Sequence, residues 1–260
     1  MLQLGINKDI SNKDYHSDRE YLSSSGIKLL HSDPEEFHRQ YILGEKTESS
    51  NQTALDFGTA AHTMILEPHL FNDQVLEYTG GSRRTNDFRD FRAAHPEKLI
   101  FLPHEMEKLS ALKAAFQNHP QKGLLENSLY EHTLCSEISG VKVKCRADSI
   151  CPERGIITDI KTTGYSSGIE QFKETVQRSH YEISAALYCL IAEQVYNRPF
   201  SFYFIVLSKD DLQCHIYKTS FETLELGKSR TKAALEFFKQ AKLTNEWKQE
   251  ILETEDILEV

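Results

Sequence analysis

Hydrophobic positions along this chain switch between helical and strand spacing, and each switch marks an element. After a polar stretch from Tyr15 to Tyr21, Ser23-Ser24-Ser25 offers caps for a short helix holding Ile27, Leu29 and Leu30. Asp33-Pro34-Glu35-Glu36 opens a second helix, with proline in the first turn and acids at the positive end, running to Ile42. Lys46 to Thr53 reads as a hydrophilic loop, and Leu55 to Leu66 as a helix that Pro68 helps to stop. Leu55, Gly58, Thr59, His62 and Leu66 share one stripe of that helix; its small residues permit close packing and carry His62 toward whatever the helix lies on.

Glu77 to Glu97 is polar and reads as an irregular excursion around the body. Leu99 to Leu102 is a short buried strand, and Met106, Leu109, Leu112 and Phe116 mark a helix between Pro103 and Pro120. Tyr130 to Ile138 and Lys142 to Ile150 are strands joined at Ser139-Gly140, and Gly155 to Lys161 follows a turn containing Pro152. Ser166 to Tyr196 is helical in two parts, with Ile183, Leu187, Leu190, Ile191 and Val195 as a buried stripe and Tyr181, Ser184 and Tyr188 on a different face. Phe200 to Leu207 is apolar on both faces, as a central strand is, with an edge strand at Gln213 to Lys218 and an amphipathic helix at Phe221 to Lys242. This order predicts an α/β fold with a mixed central β-sheet flanked by helices. One domain over 1–260 is expected: a mainly helical lead-in (1–120), a sheet core (121–245) and an acidic tail (246–260) that reads as a solvated terminus rather than a docking segment.

With 39% hydrophobic and 27% charged residues in 260, composition adds only that the chain is an ordinary soluble one with a sizeable core. No run of eighteen apolar residues occurs, so no membrane span or signal peptide is expected and the location reads as cytoplasmic. Cys135, Cys145, Cys151, Cys189 and Cys214 lack paired metal-site spacing and read as reduced, mostly buried thiols; an iron–sulfur centre would need them clustered. The formal charge of −9 argues against indiscriminate nucleic-acid binding, so a nucleic-acid enzyme of this composition must concentrate its cations locally. Lys142, Lys144 and Arg146 on one strand face, and Arg83-Arg84 in a loop, are the candidates.

The candidate chemistry lies in the paired strands. The two-residue period sends Asp159 and Lys161 to one face of the second strand and Ile156 and Ile160 to the other, while the turn folds Asp148 back beside Asp159. Neighbouring carboxylates repel unless a cation neutralises them, and a hard divalent ion accepts carboxylates, a backbone carbonyl and water. Lys161 is then placed to orient or deprotonate an attacking water, or to stabilise charge on a phosphate. The competing reading of Asp159-Ile160-Lys161 is an ion pair on a solvated strand, and His62 alone reads as a hydrogen-bonded core histidine.

The order His62, Asp148, Asp159-Ile160-Lys161, then a helix with Tyr188, resembles the RecB-like branch of the PD-(D/E)xK nucleases. Leu55-Asp56-Phe57-Gly58-Thr59-Ala60-Ala61-His62 with Leu66-Glu67-Pro68, Arg83-Arg84-Thr85-Asn86, and Cys145-Arg146-Ala147-Asp148 with Asp159-Ile160-Lys161-Thr162-Thr163 are similar to the catalytic domain of the RecE-type exonuclease VIII enzymes of prophages, over residues 15 to 245. The resemblance implies a restriction-endonuclease-like core and a Mg²⁺-dependent exonuclease, Mn²⁺ substituting, that resects the 5′ strand at duplex DNA ends. It further implies 3′ overhangs used by a RecT-like annealing partner in recombination, and a homo-oligomeric ring. It assigns metal holding to His62, Asp148, Asp159 and the Ile160 carbonyl, catalysis to Lys161 with Asp148 and Asp159, and an upstream acidic role to Glu131. DNA contacts fall to Arg83, Arg84, Arg146, Thr162, Ser184 and Tyr188; Ser184 stands where the family usually has a glutamine. A structure-specific endonuclease and a non-catalytic DNA-end or partner-binding module are the alternatives.

Overall fold

The computed structural model describes residues 1–45 and 52–248, so most of the expected loop at 46–53 and of the acidic tail lies outside the described residues. The chain opens with β1 (Gly5–Asn7), α1 (Asn12–Ser17), α2 (Ser24–Ser32) and α3 (Pro34–Phe37), which a π-helical turn extends to Ile42. Ser23 and Asp33 cap α2 and α3 as their side-chain chemistry predicts, accepting from the backbone of Gly26 and Glu36. Next come α4 (Gln52–Leu66), α5 (Pro68–Gln74), β2 (Val75–Glu77), α6 (Asn86–Ala94), β3 (Leu99–Phe101) and α7 (Pro103–Asn118). The remainder holds β4 (Leu129–Ile138), β5 (Val141–Cys151), β6 (Ile156–Thr163), α8 (Ile169–Arg178), α9 (Tyr181–Tyr196), β7 (Ser201–Ser208), β8 (Cys214–Lys218) and α10 (Phe221–Thr244).

The main sheet runs β1-β4-β5-β6-β7-β8, antiparallel throughout except for the parallel β6–β7 pair. That mixed sheet is sandwiched between helices, the expected architecture. On one face Leu30, Phe37, Ile183, Leu187 and Leu235 pack against Val143, Cys145, Ile157, Phe202 and Phe204. On the other, Phe57, Ala61, Leu109 and Leu112 cover Ile160, Ile205 and Leu207. The period of two in β6 therefore divides Ile157 from Ile160, and carries Asp159 and Lys161 to the face covered by α2 and α9. Besides α1, α5 and β2, which the hydrophobic pattern does not predict, two further elements depart from expectation. β1, from the helical lead-in, joins the main sheet beside β4. The polar excursion contains α6, capped by the Thr85 hydroxyl and packed through Phe88 on Tyr78 beside the separate β2–β3 pair; its sparse apolar residues hide it from a periodicity reading.

The β4–β5 hairpin turns on Ser139 (φ 52°) and Gly140 (φ 76°), the two left-handed residues of a tight turn that matches strand twist. Among the described residues no helix is long and apolar enough to cross a membrane. Helix α9, expected to be buried along one stripe, is covered on nearly all sides from Glu182 to Leu187, because α10 closes over the face turned away from the sheet. Contact between these helices is close enough that a Cβ on Gly227 would overlap the Glu182 carbonyl and the Ala186 side chain. Gly227→Ala is expected to lower the urea unfolding free energy by on the order of 2–3 kcal/mol, the usual scale for overpacking between rigid elements; an unchanged midpoint would show that the helices separate freely.

Candidate active site

The β5–β6 ladder stops at Ser149 and Thr158. Continued by one step, that register would set Asp148 opposite Asp159, but here the strands part and the Asp148 carboxylate fills the gap, Oδ2 accepting the Ile160 N–H at 2.7 Å. The Asp148 carboxylate replaces a backbone carbonyl as the partner of a strand amide, and the fixed amide in turn holds the carboxylate in place. From the opposite side of the sheet α4 brings His62, whose Nε2 donates to the Ile160 carbonyl at 2.9 Å and whose Nδ1 lies 3.4 Å from Asp148 Oδ2. The stripe Leu55, Gly58, Thr59, His62 and Leu66 lines the cleft, Leu66 also reaching the core, while Phe57, Ala60, Ala61 and Met64 are the buried face of α4.

Glu131 enters through the backbone. It sits within β4 at φ 47°, a left-handed conformation uncommon for a non-glycine residue, and the β4–β5 pairs on either side, Tyr130 with Ser149 and His132 with Ala147, leave it and Asp148 unpaired. Such strain persists where surrounding structure imposes it and gathers at functional sites. Its consequence is that His62, Glu131 and Asp148 each offer a ligand atom, all within 4.8 Å of one another. Hard carboxylate oxygens with one imidazole and a nearby carbonyl suit a divalent ion such as Mg²⁺ or Mn²⁺ better than a soft metal. Asp159 approaches from the other face of β6, its side chain 6% exposed and ion-paired to Lys161.

The electrostatics fit a site short of positive charge. Burial raises the Asp148 carboxyl above the usual carboxylate range; His62 opposes the shift and Asp159 adds to it. Burial, then repulsion from Asp148, pushes the Glu131 carboxyl up to about 7, although much of the residue's surface is open to solvent. Burial favours the neutral form of Lys161, but Asp159 and Asp148 outweigh it and hold the amine firmly protonated, above the ordinary lysine range. In the metal-free protein an ammonium held this way is placed to stabilise negative charge.

The cleft, of about 770 Å³, is also lined by Arg146, Thr162, Tyr181, Lys209, Glu67 and Asn12. Of the residues expected at DNA, Arg146 and Thr162 line this cleft, and Arg146 is braced by hydrogen bonds to Thr133 and to the Ile10 carbonyl. The others do not line it. Arg83 makes a bidentate pair with Glu105, both contacts at 2.7 Å, and also binds the Ile100 carbonyl, so it staples β3 to α7; Arg84 is exposed outside the cleft. Ser184 is buried, and Tyr188 packs its ring edge-on to Phe202 at 6.0 Å. The expected basic row of β5 is largely spent internally, Lys144 on the carbonyls of Tyr15 and Asp18 and Lys142 on Glu20. Tyr181 and Lys209, which also line the cleft, lie on separate elements with no spacing to link them to the acidic residues.

Metal-ligand carboxylates must be ionised, so binding is linked to pH. In the metal-free protein Glu131 holds a proton below about 7, whereas an unfolded glutamate loses it near ~4.3; the raised value destabilises the fold progressively as pH rises through that window. Apparent Mg²⁺ or Mn²⁺ affinity in titration calorimetry is therefore expected to rise from pH 6 to pH 7.5 by up to about tenfold per unit and then level off, with a shallower slope and weaker binding in Glu131→Gln. Affinity that is flat across this range would remove Glu131 from the ligand set.

Comparison with known proteins bears on the fold and the family. No curated protein matches the sequence. Among solved structures the chain is similar to a protein from Eubacterium rectale that bears a provisional exonuclease name, with TM-score 0.67 and 16% identity over 92% of this chain and 89% of that one, a likeness of fold. A phage related exonuclease from Haemophilus somnus 129PT overlaps at TM-score 0.35 and 14% identity, over 87% of this chain and 96% of the other, too loosely to bear on the argument. The family model for the PDDEXK-like domain of unknown function (DUF3799) matches residues 23–255, so the chain, with its restriction-endonuclease-like α/β fold, belongs to that family.

Proposed function

We propose that this protein is a Mg²⁺-dependent exodeoxyribonuclease that resects the 5′ strand of linear duplex DNA and leaves 3′ overhangs for a RecT-like single-strand annealing partner. The observation that carries the hydrolytic reading is the convergence of His62, Glu131 and Asp148 within 4.8 Å beside the Asp159–Lys161 pair. The choice of 5′ polarity, an annealing partner and a homo-oligomeric ring rests on the motif resemblance.

Asp148, Glu131, His62, Asp159 and the Ile160 carbonyl would hold the cation. Bound there, a divalent ion supplies Lewis acidity and lowers the pKa of water. In the metal-free protein the Ile160 carbonyl and His62 occupy one another through a hydrogen bond, so the donors are already gathered before binding. Lys161 projects from β6 into the cleft and offers a permanent positive charge to the phosphoryl oxygens as negative charge grows on them. Arg146 and Lys209 on the rim supply local positive charge that the overall charge of −9 does not.

Purified protein with Mg²⁺ is expected to degrade linear duplex DNA and to spare covalently closed circles, and end-labelled duplexes should lose the 5′-terminated strand first. Cleavage of closed circles would favour a structure-specific endonuclease on the same core. Lys161→Ala is expected to lower kcat by about a thousandfold without weakening cation affinity, the scale of removing one preorganised charge from a transition state. Activity that survives in both Lys161→Ala and Asp159→Ala would place the chemistry elsewhere.

A further inference from the structure

Lys161 has a second partner besides Asp159. Its Nζ lies over the ring of Tyr181, 5.1 Å from the centroid, a cation–π distance. The two partners differ in one respect that matters to the reaction proposed above. Asp159 is itself a candidate ligand, so a divalent ion competes with Lys161 for its charge and also repels the ammonium. An unbranched side chain with a free rotor would then swing away unless something neutral and fixed retains it.

The Tyr181 ring is fixed. It packs on Phe204 of β7 at 5.9 Å with an interplanar angle of 28°, and it is the first residue of α9, directly after His180, whose φ of 50° makes the sharp turn from α8. Glu182, the next residue, is 1% exposed and anchors that helix end through Arg230 at 2.6 Å and His180 at 3.4 Å. A second ammonium shares the ring: Lys28 Nζ of α2 is 5.2 Å from the same centroid and makes no ion pair among the described residues. Its pKa is lowered to about 8, by burial first and by Lys161 second, so the two charges are close enough to oppose one another.

We propose that Tyr181 is a positioning residue for Lys161: its ring, backed by Phe204 and shared with Lys28, holds the ammonium at the cleft when a cation draws on Asp159. The aromatic face does the holding, and the hydroxyl has no part in it. This rests on Lys161 serving the nuclease reaction, and one of the measurements below is independent of that.

In the Mg²⁺-loaded full-length protein without DNA, ring current should shift the Lys161 ε-methylene protons upfield in selectively labelled NMR spectra, in wild type, Tyr181→Phe and Lys28→Met alike. In Tyr181→Leu the signal should return to the ordinary lysine position. In turnover assays Tyr181→Leu should lose about tenfold in kcat with KM for DNA and cation affinity within about twofold of wild type, while Tyr181→Phe keeps wild-type kcat. Should the leucine variant fail to fold, Tyr181→Met supplies the ring-free comparison, since methionine fills irregular gaps. An unshifted Lys161 signal in wild type, equal losses in the phenylalanine and leucine variants, or a loss in Lys28→Met matching that of Tyr181→Leu would each overturn the proposal. Absence of DNA degradation by wild type would sink the nuclease reading while the NMR shift still decides whether the ring holds Lys161.

Discussion

One hydrogen bond sets the geometry on which the site depends: the Ile160 N–H donating to the Asp148 carboxylate where β5 and β6 separate. Below that point the strands pair as an ordinary antiparallel ladder, and above it β6 continues alone in register with β7 through Thr163. The divergence creates space at the sheet's open side, and the carboxylate satisfies the amide that would otherwise be orphaned. Because the contact is to backbone, Asp148 cannot drift without unpairing a strand residue. Removing the carboxylate would cost more than a ligand, since a buried N–H would lose its partner.

Everything else at the site is arranged around that fixed acid. α4 contributes His62 from one side of β6, and β4 contributes Glu131 through a left-handed backbone kink. Asp159 comes through the sheet from the α9 side, already matched with Lys161. Burial first, and then repulsion between neighbouring acids, raises the carboxyls of Asp148 and Glu131. Such an arrangement is unfavourable in a folded protein unless a cation relieves it, and strained, poorly neutralised clusters of this kind mark functional sites. In the metal-free protein Asp159 and Asp148 also keep Lys161 protonated.

The paired strands were legible because strand alternation is a local rule: Asp148, Asp159 and Lys161 follow from a period of two and a short turn. So was the sandwich, from the all-apolar run of β7 and the periodic helices on each side. What failed was any inference that required knowing a side chain's tertiary partner. Arg83 looked free in a polar loop and is instead clamped by Glu105, more than twenty residues away. Lys142 and Lys144 alternate correctly on β5, yet the N-terminal segment covers that face and takes their protons into its own hydrogen bonds and ion pairs. Ser184 and Tyr181 share a helix, and only the closure of α10 over it decides which is buried and which reaches the cleft. Glu131 could be named from motif order alone; the backbone conformation that aims it has no local sequence signal.

The central claim is that three carboxylates from three strands and one imidazole from a helix share one hard divalent ion. Anomalous diffraction at the manganese edge, from crystals grown with Mn²⁺, tests it most directly. The account predicts a strong peak within coordination reach, about 2.0–2.3 Å, of oxygens from Asp148 and the Ile160 carbonyl, with Glu131, His62 or Asp159 completing the protein ligands. A manganese ion bound elsewhere, with Asp148 still hydrogen-bonded only to the Ile160 amide, would contradict it.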